Sequence, residues 1–538
     1  MQSKDSHAWR AMRWVACLWL VACAGNAAAQ ANADIEQGRL ILHWGDPVPV
    51  ARGKAQQAPR LRAILTTDDG RRIPMEAGLA RRAAADLPAL ANRRVAVAFK
   101  RLPVAGQRRL QRVPDVIVPI DAPAVTAPRA GGQVMAAAAV SGTTRWVTVM
   151  CRFSDIATEQ QNKTFFNNQY GTGVGQLGHY WKEVSYGKVN LAGSSAEGWF
   201  ALPNPRATYV TKGSDGKDDA DLDKLFQDCV TAADATVDFS GVQGINLMFN
   251  GDLDGFAWGG GSCATMDGAR RCTRVTWNPP WSFSNLAPLA HEMGHGYGLP
   301  HSDNSDGDDD TYDNPWDVMS DSWSNAVGDA TYGTRPKHIA MIQRDRLGWV
   351  DAPRKLELMY GGGGTRQLEL QFASLAGASG VQMIVLPLQA QPDSAQTIRY
   401  TLEARRPIGA YEGKLAGTAV IIHRLFDGTA YSQDASVPPA DRANNEGSMF
   451  KVGESWSAPG GAYLLSVDAA TANGFLVTLT SAQIGQITGG NLPARAGNGA
   501  AVSIAPTSAA AAASTASSTL SYRRSPATRR PPIRSRSR

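Results

Sequence analysis

The stretch LAPLAHEMGHGYGLPHSDNSDGDDD, residues 286–310, decides how the chain is read. The protein has only eight histidines, yet His291, His295 and His301 fall within eleven residues here. Leu286, Leu289, Ala290 and Met293 recur at helical spacing behind Ser284, a suitable N-cap, so a helix is predicted. Residues four apart on a helix share a face, so His291 and His295 project together and can hold one metal ion at about 2.0–2.1 Å. Gly298 can enter the left-handed conformation that a sharp helix end requires, Pro300 stiffens the return, and His301 arrives as a third nitrogen. Three protein ligands leave a fourth position open, which marks a catalytic rather than a closed structural metal site. Glu292, beside the first ligand, is placed to reach a metal-bound water without ligating.

The pattern His291-Glu292-x-x-His295-x-x-Gly298-x-x-His301 resembles the metzincin zinc-peptidase signature. That clan carries a methionine turn beneath the metal, and Met319 in WDVMSD (residues 316–321), eighteen residues after His301, fits the place as packing rather than as a ligand. Three further stretches look like the immune inhibitor A and gametolysin-like secreted peptidases: HYWKEVSYGKVNLAGSSAEGWFALP (179–203), IQRDRLGWV (342–350) and RYTLEARRPIGAYEG (399–413). The likeness spans about 145–480 and is loose outside the metal motif. His301 stands where immune inhibitor A proteins usually have Asp. Asp321 stands two residues after Met319, where astacins and serralysins place a tyrosine, which leaves Tyr312 as the candidate for phenolic help. The resemblance implies an α+β metzincin-type catalytic domain holding one Zn²⁺. It also implies peptide-bond hydrolysis by a zinc-activated water, with Glu292 as the general base that returns the proton to the leaving amine.

Outward from the motif, the segment 144–352 mixes both element types, as a catalytic domain of this kind requires. TRWVTVMCRF and GINLMFNG read as strands, VGQLGHYWKEVSYG and DADLDKLFQDCVTAAD as helices, and RPKHIAMIQRDRLGWV (335–350) as a helix. Residues 353–485 turn to repeated β runs with turn signals between them, from KLELM (355–359) to GFLVTLTSA (474–482), at the spacing of a β-sandwich domain. Before the catalytic segment, RLILHW, RLRAIL, RRVAVAF and PDVIVPI read as short strands in a β-rich prosegment, 30–143, whose end (121–143) is an Ala/Pro/Gly-rich linker and a plausible processing site. Residues 486–538 are an Ala/Ser/Arg-rich tail predicted to be disordered.

Residues 1–29 read as a secretory signal: Lys4, Arg10 and Arg13 precede the apolar run WVACLWLVACAG, and Ala27 and Ala29 are placed for cleavage before Gln30. LVAC also resembles a lipoprotein box, in which case Cys23 would be lipidated and the protein would be anchored to a membrane. Secretion without an anchor is the preferred expectation. Four further cysteines in an exported chain predict two disulfides. Cys263 with Cys272 and Cys151 with Cys229 is the preferred choice of three connectivities.

The net charge of +6 is segregated. Residues 30–140 hold 17 Lys and Arg against 9 Asp and Glu, and 486–538 hold eight arginines and no acid, so the span between them is net acidic. The positive charge lies outside the catalytic segment, so no nucleic-acid partner is predicted; the expected partners are protein or peptide substrates, with the oligomeric state undetermined. A basic prosegment is attracted to an acidic core, as an inhibitory propeptide would be. No cysteine lies between Gln30 and Val140, so latency cannot use a thiolate and must use another ligand such as an Asp, or steric coverage. The acidic runs DNSDGDDDTYD (303–313) and NGDLDG (250–255) suggest Ca²⁺ but lack the EF-hand order. The competing function is a surface- or carbohydrate-binding adhesin whose metal site is vestigial, against which the intact Glu292 and three histidines argue.

Overall fold

Alternation of apolar and polar residues makes the basic N-terminal region a sheet. It forms β1 (Asp34–Pro47), β2 (Arg60–Thr67), β3 (Arg72–Met75), the short helix α1 (Ala77–Ala83), β4 (Arg94–Pro103) and β5 (Leu110–Pro119). Every second residue of β1, Leu40, Leu42 and Trp44, turns into one core with Leu65, Val95 and Val97, as a period of two requires. The computed structural model describes residues 34–49, 57–103, 110–120, 139–307, 310–388, 398–436 and 446–483. The signal region with Cys23, linker residues 121–138 and the Arg-rich tail lie outside the described residues. Val140, within the predicted linker, is buried, and its carbonyl accepts from Trp349 Nε1 at 2.7 Å.

The next segment contributes β6 (Trp146–Arg152), α2 (Leu177–Val184), β7 (Ser195–Ala201), α3 (Leu222–Ala233), β8 (Gly244–Phe249), β9 (Phe256–Met266), β10 (Ala269–Asn278) and α4 (Leu286–Gly296). A ten-stranded sheet runs β3-β2-β1-β9-β10-β8-β6-β7, with β4 paired to β1 and β5 to β4. β10, β8, β6 and β7 are mutually parallel, whereas β9 runs antiparallel to β10. Both faces of the parallel part are covered, which explains its nearly continuous apolar runs. Trp146 and Met150 of β6 pack with α2 and α4 on one face. Val147, Val149 and Cys151 pack with α3 on the other, where Cys151 is disulfide-bonded to Cys229. Cys263 bonds Cys272 directly across the β9–β10 hairpin, which turns at Asp267 and Gly268, both at positive φ (48° and 71°). That is the turn chemistry a two-residue hairpin favours.

The helix predicted over 335–350 is much shorter: α5 covers only Met341–Arg346, after β11 (Ser302–Asn304). Lys337 and His338 are drawn into the interior by carboxylates instead, Lys337 to Asp321 at 3.7 Å and His338 to Glu183 at 2.8 Å. Beyond follow β12 (Lys355–Glu357), β13 (Gly362–Gln371), β14 (Met383–Pro387), β15 (Arg399–Arg405), β16 (Ala419–Phe426), β17 (Thr429–Ser432), β18 (Ser455–Ser457), β19 (Tyr463–Ala470) and β20 (Gly474–Gln483). They make a six-stranded sheet, β11-β17-β16-β15-β14-β12, and a four-stranded one, β13-β20-β19-β18. Ile384, Leu386, Leu402 and Ile422 of the first share one core with Leu370, Leu465 and Val477 of the second. The opposite face of the six-stranded sheet packs Met383 and Val385 against Met341 and Ile342 of α5. Each such aliphatic side chain contributes about 1.5–3 kcal/mol by leaving water. β11 follows directly on His301 and pairs in parallel with β17, so the β-rich region and the metal motif share one sheet.

Candidate metal centre

α4 runs beneath β9 and β10 and ends as the motif requires, although Asn285 rather than Ser284 occupies the N-cap position and makes no side-chain cap. At its C-terminus Gly298 has φ +94°, Gly298 N donates to His295 O at 2.9 Å, and Leu299 N donates to Gly294 O at 3.0 Å. These two bonds are the Schellman arrangement, which only a residue at ease with positive φ supports without strain. The chain then reverses through Pro300 to His301, and Ser302 N donates to Met319 O at 3.1 Å as β11 begins. The third histidine is thus held from both sides: by the glycine turn behind it, and ahead by the sheet that contains β17.

The three imidazoles converge through their Nε2 atoms. His295 Nε2 lies 3.0 Å from His291 Nε2 and 3.2 Å from His301 Nε2. Nitrogens about 2.0–2.1 Å from one tetrahedral ion lie roughly 3.3–3.4 Å apart, so the spacing fits a shared metal. The Nδ1 atoms face backbone carbonyls, Val318 O at 2.6 Å from His291 and Leu299 O at 2.7 Å from His295. A carbonyl can only accept, so Nδ1 carries the proton and Nε2 presents its lone pair.

A fourth group completes the cluster. Asp46, near the end of β1, places Oδ1 2.7 Å from His301 Nε2 and 3.2 Å from His291 Nε2, and Oδ2 3.3 Å from His295 Nε2. Among the described residues, Asp46, His291, His295 and His301 are the one group of His, Cys, Asp or Glu whose ligand atoms all lie within 4.8 Å of one another, and all four are buried. This cluster could hold a metal ion. Among the described residues, neither 303–313 nor 250–255 adds a second such group, and the latter stretch has other work. Asn250 accepts from Phe153 N at 2.9 Å, and Asp254 accepts from Trp258 Nε1 at 2.9 Å and pairs with Arg60 and Arg62 of β2 at 3.5 Å.

Electrostatics without a metal reflect this crowding. Burial would raise the Asp46 carboxyl, but the charges of His301 and His291 hold it well below its ordinary range. Burial depresses His295 to about 3, whereas for His291 the Asp46 carboxylate outweighs burial and raises it. Glu292 is raised well above 4.5 by burial and then by the Asp46 charge, and its Oε2 is buried without a hydrogen-bond partner. An ionisable group so placed costs stability unless something bound there uses it.

The surroundings explain several small residues. A Cβ on Gly259 of β9 would lie 2.4 Å from Glu292 O, so the strand and α4 touch backbone to backbone. A Cβ on Gly294 would lie 2.4 Å from Met319 Sδ, which puts the methionine beneath the helix as packing, while the preceding Val318 carbonyl orients His291. Tyr312 donates its phenol to Asp46 Oδ1 at 2.7 Å, so its hydroxyl points at the fourth-ligand position. Asp321 is turned away toward Lys337. Asp46 is the residue missed as a specific position by sequence reading. It lies 255 residues from His301, and no spacing rule marks it out from the other acids of the basic N-terminal region.

No family model, curated protein or solved structure matches the chain. The two disulfides are consistent with an extracellular protein. Among the described residues no helix is long and apolar enough to cross a membrane.

Proposed function

We propose that the chain is a secreted zinc endopeptidase made as a precursor, with a metzincin-type catalytic domain (144–352) followed by a β-sandwich domain. The observation that carries this reading is the convergence of three Nε2 atoms at metal-sharing distance beside the buried Glu292, whose Oε2 has no hydrogen-bond partner. His291, His295 and His301 would hold the ion, their tautomers set by the Val318 and Leu299 carbonyls. Zinc bound there supplies Lewis acidity, polarising a scissile carbonyl and lowering the pKa of water.

Glu292, in its carboxylate form, takes the proton from the attacking water and passes it to the leaving amine. The Tyr312 hydroxyl, aimed at the fourth position, donates to the oxygen that becomes negative in the tetrahedral state. Met319 keeps the floor of the site apolar and contributes no ligand. Disulfides formed after export tie α3 to β6 and close the β9–β10 hairpin. The test is cleavage of casein by the protein after limited proteolysis within 121–138 and removal of the released N-terminal segment, abolished by 1,10-phenanthroline and restored by zinc. Glu292→Gln is expected to keep one bound zinc and lose cleavage, and retained cleavage by that variant in a pure sample overturns the reading.

A further inference from the structure

We propose that β1 is a built-in inhibitor. Its Asp46 carboxylate takes the fourth position of the metal, and its backbone takes the edge of β9 on which an extended polypeptide substrate is bound. The inference rests on the zinc-peptidase reading and deepens it by naming how the site is closed and what form of substrate opens onto it.

Three independent features carry it. The first is Asp46 itself, with contacts of 2.7–3.3 Å to all three imidazoles. Three nitrogens and one carboxylate oxygen saturate a tetrahedral ion and leave no place for water. The second is the sheet. Without residues 34–120 the sheet would stop at β9, whose outer edge would offer unpaired amides and carbonyls beside the histidines. β1 fills that edge antiparallel, with His43 opposite Gly260, Gly45 opposite Trp258 and Pro47 opposite Phe256. Val48 N donates to Gly255 O at 3.1 Å. A strand edge recognises any extended chain through its backbone, so the occupant that β1 excludes is an extended polypeptide rather than a compact small molecule.

The third feature is the seal around the ligand. Trp44 stacks on the His295 ring, with centroids 5.0 Å apart and planes 6° from parallel. His43 Nε2 sits 2.7 Å from Gly261 O, and Gly45 fits under the Trp258 ring where a Cβ would come within 2.6 Å. Arg62 pairs with Asp219 at 2.6 Å and stacks on Trp258 at 4.2 Å, and Arg72 pairs with Asp223, so the basic segment is fastened to acidic residues of the core. Because β1 is also hydrogen-bonded to β2 and β4, a cut between 121 and 138 leaves the strand seated; activity requires that the segment then dissociate or be degraded.

The test uses the full-length chain loaded with Co²⁺, comparing wild type, Asp46→Ala and Asp46→Asn, with one metal ion per chain required of each. Acetohydroxamate is titrated against the visible Co²⁺ spectrum, and casein cleavage is measured in parallel. In the wild type the hydroxamate competes with an intramolecular ligand and is expected to bind roughly 100-fold or more weakly than in Asp46→Ala. Asp46→Asn, which keeps the shape with a poorer ligand, is expected to fall between. If Asp46→Ala loses metal through misfolding, the Asn variant carries the comparison. Equal hydroxamate affinity in wild type and both variants overturns the inhibitor, as does casein cleavage by uncut wild type at the variants' rate, and cleavage in either case leaves the peptidase reading intact. Hydroxamate binding that is unmasked in the variants supports the closure by Asp46, and absence of casein cleavage even after the cut segment has been removed overturns the peptidase reading.

Discussion

Gly259→Ala tests whether β9 and the metal helix meet as described. The backbone φ there is not in the left-handed region, so local propensity favours alanine, by about 0.5–1 kcal/mol over glycine within a strand. The tertiary contact opposes this. The new Cβ would lie 2.4 Å from Glu292 O, 2.7 Å from His295 Cβ and 2.9 Å from Glu292 Oε2, where ordinary contact is 3.4–4 Å. A backbone carbonyl cannot swing aside as a flexible side chain can, so α4 or β9 must shift by about 1 Å. Overpacking of this kind costs about 1–3 kcal/mol, which leaves a net loss of up to about 2.5 kcal/mol. The shift also moves His295 relative to His301, which is fixed by β11, so zinc affinity is expected to fall about 10-fold or more, as when ligand-orienting contacts are lost. Urea unfolding of the metal-free protein gives the first quantity, and zinc competition against a chromophoric chelator gives the second. Unchanged or higher stability together with unchanged zinc affinity would refute the packing of α4 on β9, and with it the placing of Glu292.

Tyr312→Phe in the processed protein is expected to lower kcat by about 100- to 1,000-fold with zinc affinity unchanged, because one hydrogen-bond donor to the developing oxyanion is removed; a kcat within twofold of the parent rejects that role. Glu403 is pushed up from 4.5 to about 7 by burial, against the opposing charge of Arg405. The folded state holds this proton more tightly than the unfolded state, so its contribution is fully present below pH 4.5 and lost as pH rises to 7, by of order 3 kcal/mol. Glu403→Gln should therefore match wild type near pH 4 and exceed it near pH 8 in denaturant midpoint, and a constant difference at all pH values argues against the shift. The disulfides differ in the chain they close, with separations of 78 residues for Cys151–Cys229 and 9 for Cys263–Cys272. Loop entropy assigns about 4–5 kcal/mol to the first and about 2–3 kcal/mol to the second, so the Cys151→Ser/Cys229→Ser pair should destabilise more, and the reverse order in calorimetry would contradict this account.

What could be read from the chain itself is what local geometry controls. The pitch of a helix places His291 and His295 on one face, and a glycine at φ +94° lets His301 follow within six residues, so the three clustered histidines are written in eleven consecutive positions. The β runs of 37–120 and 355–482 were likewise legible, because the side-chain period of a strand appears directly in its sequence. The helix read over 335–350 was not, since Lys337 and His338 answer to carboxylates at Asp321 and Glu183 rather than to their neighbours in sequence. The Gly-rich run at 259–261 had no meaning until β9 was seen lying against Glu292 and His295. Basic charge in residues 30–140 raised the expectation of a docked segment, but which of its nine acids would reach the histidines depended on strand pairing. That β1 enters the sheet beside β9, in the register that sets Gly45 opposite Trp258, is decided by long-range backbone hydrogen bonds and by the stacking of Trp44 on His295. Such contacts join residues more than two hundred positions apart, and no periodicity along the chain encodes them. The sequence by itself brought out three candidate metal ligands; the tertiary structure alone decided that Asp46 joins them in one buried cluster that could hold a metal ion.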